Sequence, residues 1–337
     1  MKNSFLLFLM FLLFSGVIST AQKTDIPSLK NNLQLVPQSA LFEMEGYYLW
    51  DPSVIKVGDQ YHLFCSRWPE ETDMSGWKKS QVIRAVSKSL FGPYTFAEVV
   101  LQPENHSWAT QGVHNPKIIK LNDKYLLYHL GIPVWKTGFA LADEITGPWE
   151  VLDYPPISTN NPSVTVEEDG SLYAVGKHKP EPHRDGKWDA YMHAFRANNC
   201  MDDFKPVTDN VGDTLNLLPN NFELEDPSVW KHKGLYNVVC NDWEGKATGI
   251  SKSMIQYVSN DGIDYKLVST EPIWSHQEGV PLKNGGTIRL SRLERPQVFL
   301  NENNEVIAML AAALPESANP SFIVIRPVDR YAPNPLE

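Results

Sequence analysis

The chain has 337 residues, 42% of them hydrophobic, a formal charge of −10 and three cysteines. An acidic balance without any basic run argues against nucleic acid or an anionic membrane surface as a partner. The length would allow two domains, but all-β chains of this size often form one. No low-complexity linker interrupts the sequence, so a single domain over residues 22–337 is expected.

Residues 1–21 read as a secretory signal peptide. Lys2 gives the positive start, Phe5 to Phe14 the apolar run, and Ser19-Thr20-Ala21 the small residues before a cleavage site. Cleavage before Gln22 would leave a periplasmic or secreted protein with no further membrane association. Helical periodicity is confined to a short piece in residues 26–34.

From residue 50 onward one pattern recurs five times. A polar residue and a proline are followed by one residue, a β-branched residue and an alternating strand. The copies begin at Asp51-Pro52, Asn115-Pro116, Asn161-Pro162, Asp226-Pro227 and Arg295-Pro296. Counted from the residue before proline, position +3 is Val54, Ile118, Val164, Val229 and Val298, and position +12 is Leu63, Leu127, Tyr173, Val238 and Ile307. These copies align without a gap. Turn signals such as Gly58-Asp59, Asn122-Asp123 and Asp169-Gly170 follow the first strand of a copy and predict hairpins. Further strands follow, as at Ile83–Ser87 and Phe139–Ala142. Each unit thus has three or four antiparallel strands, with its proline at the start of the first. Such a unit repeated through the chain predicts an all-β, five-bladed β-propeller rather than a sandwich.

Cys65 and Cys240 share repeat position +14 in the first and fourth copies. Equivalent points of non-adjacent blades lie too far apart to bond, so buried free thiols are expected. No Cys/His spacing suggests a metal site.

A propeller brings the residues ahead of each proline to one axis. Those residues are Asp51, Asn115, Asn161, Asp226 and Arg295, preceded by Trp50, His114, Asn160, Glu225 and Glu294. Alone, any one of them could simply cap a turn. Together they make a polar ring in which clustered carboxylates drive their pKa values apart, as a general acid and base require.

The motifs Trp50-Asp51-Pro52-Ser53-Val54, Glu225-Asp226-Pro227-Ser228-Val229 and Glu294-Arg295-Pro296 resemble those of the five-bladed propeller glycoside hydrolases of families 43, 62, 32, 68 and 117, as do the strand ends Ala85–Tyr94 and Ala140–Trp149. The likeness covers about residues 40–330, with family 117 nearest in layout and family 43 next. The resemblance implies three carboxylates acting together: Asp51 as general base, Asp226 as the group that orients and tunes the acid, and Glu294 as proton donor. Family 117 sets a His beside the late Glu, where this chain has Leu293. Either the proton comes from Glu294, from His276 or His114, or from Glu225, the repeat equivalent of Glu294, or the chemistry is not that of family 117.

Around the ring a sugar-binding wall is expected. Trp68, Trp77, Trp108, Trp135, Trp188 and Trp243 fall in loops and offer large flat faces. Arg67 and Trp68 are favoured because they follow the first hairpin, and His178 and Arg289 are further candidates. The expected substrate-binding set is Arg67, Trp68, His114, Asn115, Asn161, His178, Glu225 and His276. Hydrolysis needs no redox cofactor. A structural Ca²⁺ could sit in the channel, where carboxylates and carbonyls converge.

The leading expectation is an exported hydrolase, exo-acting and inverting, on an oligosaccharide from a plant or algal polysaccharide, of which an anhydrogalactose-type fragment is one example. The alternative is a carbohydrate-binding propeller without catalysis. A scaffold for protein partners would instead need exposed apolar blade tops. Oligomeric state is not readable from the sequence.

Overall fold

The computed structural model describes residues 26–178, 191–207, 224–317 and 320–336. The predicted signal segment, Trp188 and the side chain of His178 lie outside the described residues. Among those described, five four-stranded antiparallel sheets and one two-stranded sheet are formed, which is the five-bladed propeller expected. Blade 1 consists of Tyr47–Val57, Gln60–Pro69, Gln81–Ser87 and Thr95–Leu101. Blade 2 consists of Gly112–Leu121, Lys124–Ile132, Lys136–Ala142 and Glu150–Val151. Blade 3 is Asn160–Val166, Leu172–His178, Tyr191–Ala197 and Lys205–Pro206. Blade 4 is Leu224–His232, Leu235–Asp242, Ser253–Ser259 and Lys266–Leu267.

Blade 5 is built from both ends of the chain. Leu290–Leu300, Val306–Pro315 and Phe322–Tyr331 supply three strands, and Leu41–Phe42 adds the outermost one, pairing with Val324 and Ile323. The N-terminal strand therefore closes the ring and covers an edge that would otherwise be open. Among the described residues helix is limited to short 3₁₀ pieces, including Leu29–Asn32 inside the predicted segment.

The structure corrects the position of the prolines. They do not begin the inner strands but lie within them, at a register shift in every blade: Trp50/Ser53, His114/Lys117, Asn160/Ser163, Glu225/Ser228 and Glu294/Gln297. A bulge leaves its extra residue out of the ladder, so a proline without N–H forfeits no bond there. The residue ahead of each proline has positive φ: 57° at Asp51, 52° at Asn115, 48° at Asn161, 55° at Asp226 and 62° at Arg295. Asp and Asn tolerate this region better than most residues, whereas Arg295 does not share that preference.

The gapless alignment is also corrected. Val54, Ile118 and Val229 pair with Leu63, Leu127 and Val238 at position +12, but Val164 pairs with Ala174 and Val298 with Met309. Blades 3 and 5 have longer first turns.

Neighbouring blades are stitched at the hub. The amides of Ile118, Val229 and Val298 donate to the hydroxyls of Ser53, Ser163 and Ser228 at 3.1, 2.9 and 3.2 Å. Between blades 2 and 3 that serine is replaced by Lys117, and Val164 N donates instead to Tyr128 Oη at 3.0 Å. Cys65 and Cys240 are buried and unpaired, as expected; Cys200 is unpaired but only half-buried.

Candidate active site

The five bulges turn the residues ahead of the prolines toward one another. Asp51 is 2% exposed. Its Oδ2 lies 2.9 Å from His114 Nε2 and accepts from Ser66 Oγ at 3.0 Å and from Asn115 N at 3.1 Å. Its Oδ1 lies 2.9 Å from Arg295 Nε, as an ion pair rather than an aligned hydrogen bond. The same guanidinium donates through Nη1 to Asp226 Oδ1, which also accepts from Asn161 Nδ2 at 3.0 Å. One arginine from blade 5 therefore joins the carboxylates of blades 1 and 4.

The two aspartates are pushed in opposite directions. Burial works against ionisation of Asp51, but His114, Arg295 and Ser66 outweigh it and hold the carboxyl at about 2 against an ordinary 3.8. At Asp226 burial wins: with the neighbouring charges of Glu225, Asp51 and Glu294 it raises the carboxyl despite Arg295. Lys117 is buried beside them and its ammonium is correspondingly pushed down.

Glu294 is 1% exposed and held by a fork from Arg292, Nε to Oε1 at 2.8 Å and Nη2 to Oε2 at 3.2 Å, with Lys252 Nζ 3.6 Å away. Glu225 is paired with Lys177. Besides Asp51 Oδ1, which has only its ion pair, three acceptor oxygens of the ring, Asp226 Oδ2, Asn161 Oδ1 and Asn160 Oδ1, are buried without a hydrogen-bond partner among the described residues. Buried polar atoms are rarely left so.

The predicted residues thus divide. Asp51, Asp226, His114, Asn115 and Asn161 meet directly or through Arg295, and Glu294 and Glu225 act on Asp226 by charge. Arg67 stays on blade 1, its guanidinium 4.5 Å from the Tyr47 ring and 4.9 Å from the Phe96 ring. Trp68 is 1% exposed, stacks on Tyr48 at 5.6 Å and sits 6.0 Å from His114, so it backs the histidine rather than facing solvent. His276 lies in the 275–279 turn leading to blade 5, closed by Gly279 N to His276 O at 3.1 Å. Arg289 is adjacent to blade 5 and its carbonyl accepts from Glu316 N at 3.1 Å. Trp108 stacks on His129 at 5.6 Å, and Trp243 lies under Lys252 Nζ at 4.5 Å.

Sequence reasoning placed Arg295 in the ring but missed the other cations. Arg295, Lys117, Arg292, Lys252 and Lys177 neutralise the ring. Lys117 carried a visible signal: it stands where the other copies have Ser53, Ser163, Ser228 and Gln297. Its Nζ donates to Pro227 O at 2.7 Å, spanning the hub from blade 2 to blade 4. Beyond it a cavity of about 770 Å³ is lined by all five inner strands, including Ser53, Lys117, Ser163, Ser228 and Gln297. A Ca²⁺ beside Lys117 would compete with its Nζ for the Pro227 carbonyl. Among the described residues no cluster of three or more His, Cys, Asp or Glu is arranged for a metal, and no helix is long and apolar enough to cross a membrane.

No family model matches the chain. A curated relative, the extracellular endo-α-(1→5)-L-arabinanase of Thermotoga petrophila, is 29% identical over 147 residues, covering 38% of this chain and 28% of that protein. The match therefore spans little more than a quarter of the relative's length. Solved structures match far more of the chain. A thermostable family-43 glycoside hydrolase superposes with a TM-score of 0.60 at 16% identity, covering 91% of this chain and 98% of that one. The catalytic domain of the GH62 α-L-arabinofuranosidase of Coprinopsis cinerea gives 0.62 at 11% identity, covering 89% and 96%. A family 117 glycoside hydrolase from the marine bacterium Zobellia galactanivorans gives 0.60 at 14% identity, covering 90% and 89%. This chain has the five-bladed propeller fold found in glycoside hydrolases of families 43, 62 and 117.

Proposed function

We propose that the protein is an exported glycoside hydrolase that cleaves oligosaccharides from plant or algal polysaccharides by carboxylate acid/base catalysis. The observation that carries this reading is the Arg295 bridge, which holds Asp51 and Asp226 together in a ring that also contains Glu294 and Glu225. In this reading Asp51, kept ionised, takes a proton from the water that attacks the anomeric carbon. Glu294 protonates the departing glycosidic oxygen, and Asp226 orients the pair. The unpartnered oxygens of Asp226, Asn161 and Asn160 accept from sugar hydroxyls. The reaction is exo-acting and inverting, for which acid and base stand about 6.5–9.5 Å apart to admit a water. The arabinan-cleaving relative and the arabinofuranosidase fold neighbour support arabinose-containing oligosaccharides as substrates, and the resemblance to family 117 supports anhydrogalactose-type fragments as the next candidate. The relative's extracellular location supports export.

The test is a screen of purified protein against plant and algal oligosaccharides, with the product anomer read by NMR. Release of sugar by the wild type and its loss in Asp51→Asn, with binding retained, supports the proposal. One observation favours the alternative, a sugar-binding propeller without turnover: both late glutamates are already engaged by cations, Glu294 by Arg292 and Lys252, Glu225 by Lys177. Sugar binding without release from any member of the screen would decide for it.

A further inference from the structure

The hub does not end at Asp51. His114, whose Nε2 lies 2.9 Å from that carboxylate, is 5.0 Å from the Trp77 ring, and Trp77 meets Trp135 edge-on at 5.6 Å. Aromatic surface thus leads from the carboxylate outward between blade 1, whose 3₁₀ insertion Met74–Lys79 carries Trp77, and the 132–136 turn of blade 2. Trp135 is 43% exposed and its neighbour Val134 is 40% exposed.

The backbone at Trp135 is also held against its preference, with φ of 59°. A left-handed conformation at a bulky residue costs about 1–2 kcal/mol. Packing against Trp77 alone would not need so large a ring left nearly half in solvent. The turn is firmly supported: Trp135 N donates to Gly131 O at 2.9 Å. Trp108 packs so closely on Gly131 and Gly138 that a Cβ at either would come within 2.0 or 2.1 Å of its ring. A rigid, exposed aromatic face continuous with a polar hub suits the C–H face of a sugar ring.

We propose that Trp135, backed by Trp77, is a distal platform for a sugar unit beyond the two that flank the bond being cleaved, so that the substrate is an oligosaccharide extending outward between blades 1 and 2. This rests on the hydrolase reading. The probe is a disaccharide and its longer homologues from whichever polysaccharide the wild type hydrolyses, assayed with wild type, Trp135→Ala and Trp135→Phe. Trp135→Ala should raise KM for the longer homologues about three- to tenfold, the worth of one aromatic contact. It should leave kcat and the disaccharide unchanged, and Trp135→Phe should restore most of the loss. Equal kinetics of Trp135→Ala and wild type at every length would overturn the platform and leave the hydrolase reading intact. A wild type inert toward the whole series would overturn the hydrolase reading and the platform with it.

Discussion

Arg295 Nε and Asp51 Oδ1 are 2.9 Å apart although 244 residues separate them, and the arginine is the only cation among the five residues that precede the repeat prolines. Blade 5 thereby closes on blade 1 through charge at the hub as well as through strand pairing at the rim. Arg295→Ala would leave two buried carboxylates facing each other without their shared partner. Removing one member of a buried pair costs about 3–5 kcal/mol, and a loss of that order is expected in denaturant unfolding. Arg295→Lys should restore only part of it, since a single ammonium cannot reproduce a guanidinium that reaches two carboxylates. Stability unchanged in Arg295→Ala would mean that the bridge does not hold the hub.

The low pKa of Asp51 has a consequence for acid stability. Its folded value, about 2, lies below the ordinary 3.8. A depressed carboxyl contributes stability that is present above 3.8 and lost as pH falls through about 2. The shift corresponds to about 2 kcal/mol. The unfolding free energies of wild type and Asp51→Asn should therefore differ most above pH 3.8 and converge toward pH 2. Denaturant titrations at several pH values measure the gap, and a gap independent of pH would contradict the assignment. In the proposed hydrolase reading, where Asp51 is the general base, Asp51→Asn should also lower turnover about 10²- to 10⁴-fold.

Much of this site was legible because a propeller turns a sequence repeat into a ring. Asp51, Asn115, Asn161 and Asp226 could be placed at one axis from their prolines alone. Their conformation was not legible, because a proline inside a strand and one at its start leave the same local pattern; only the partner strand shows the bulge. The cations escaped for a different reason. Lys177, Lys252 and Arg292 lie outside the residues the repeat aligns at the hub, and their partners are set by strand ends and loops rather than by period. Trp68 and Trp135 looked alike in sequence, both following a strand, yet one is buried against Tyr48 and the other stands in solvent. Closure by Leu41–Phe42 was equally invisible, since two residues carry no periodicity.

The close approach of Trp108 to blade 2 makes Gly131 and Gly138 sensitive positions. The indole is fixed on its other sides by stacking on His129 and by its Nε1 donating to Leu152 O at 2.9 Å. It cannot swing away from a new methyl group. Gly131→Ala should lose about 1–3 kcal/mol by overpacking, measured by denaturant unfolding. If Trp135 is the proposed sugar platform, the substitution should also shift the turn that carries Trp135 and raise KM for long substrates more than for short ones. Wild-type stability in this variant would show that Trp108 is free to move.

Closure of blade 5 by the N-terminal strand can be tested by removing it. Besides pairing Leu41 with Val324 and Phe42 with Ile323, the N-terminal segment ties down the same strand further along. Gln34 N donates to Pro327 O at 2.9 Å and Arg326 Nε to Gln34 O at 2.9 Å. The segment also buries Leu29, Val36 and Ala40 in the core shared by blades 5, 1 and 4. A chain beginning after Phe42 would expose the Phe322–Tyr331 edge, whose Phe322, Ile323, Val324 and Ile325 are buried in the intact fold. An apolar edge strand without a partner pairs with other chains. The truncated protein should therefore melt at lower temperature and aggregate on concentration. Adding residues 26–42 back as a peptide should restore part of the melting temperature, because the strand it completes already exists. A monomeric truncated protein with unchanged melting would mean that three strands suffice for blade 5 and that the ring is held at the hub by Arg295 and the serine stitches alone.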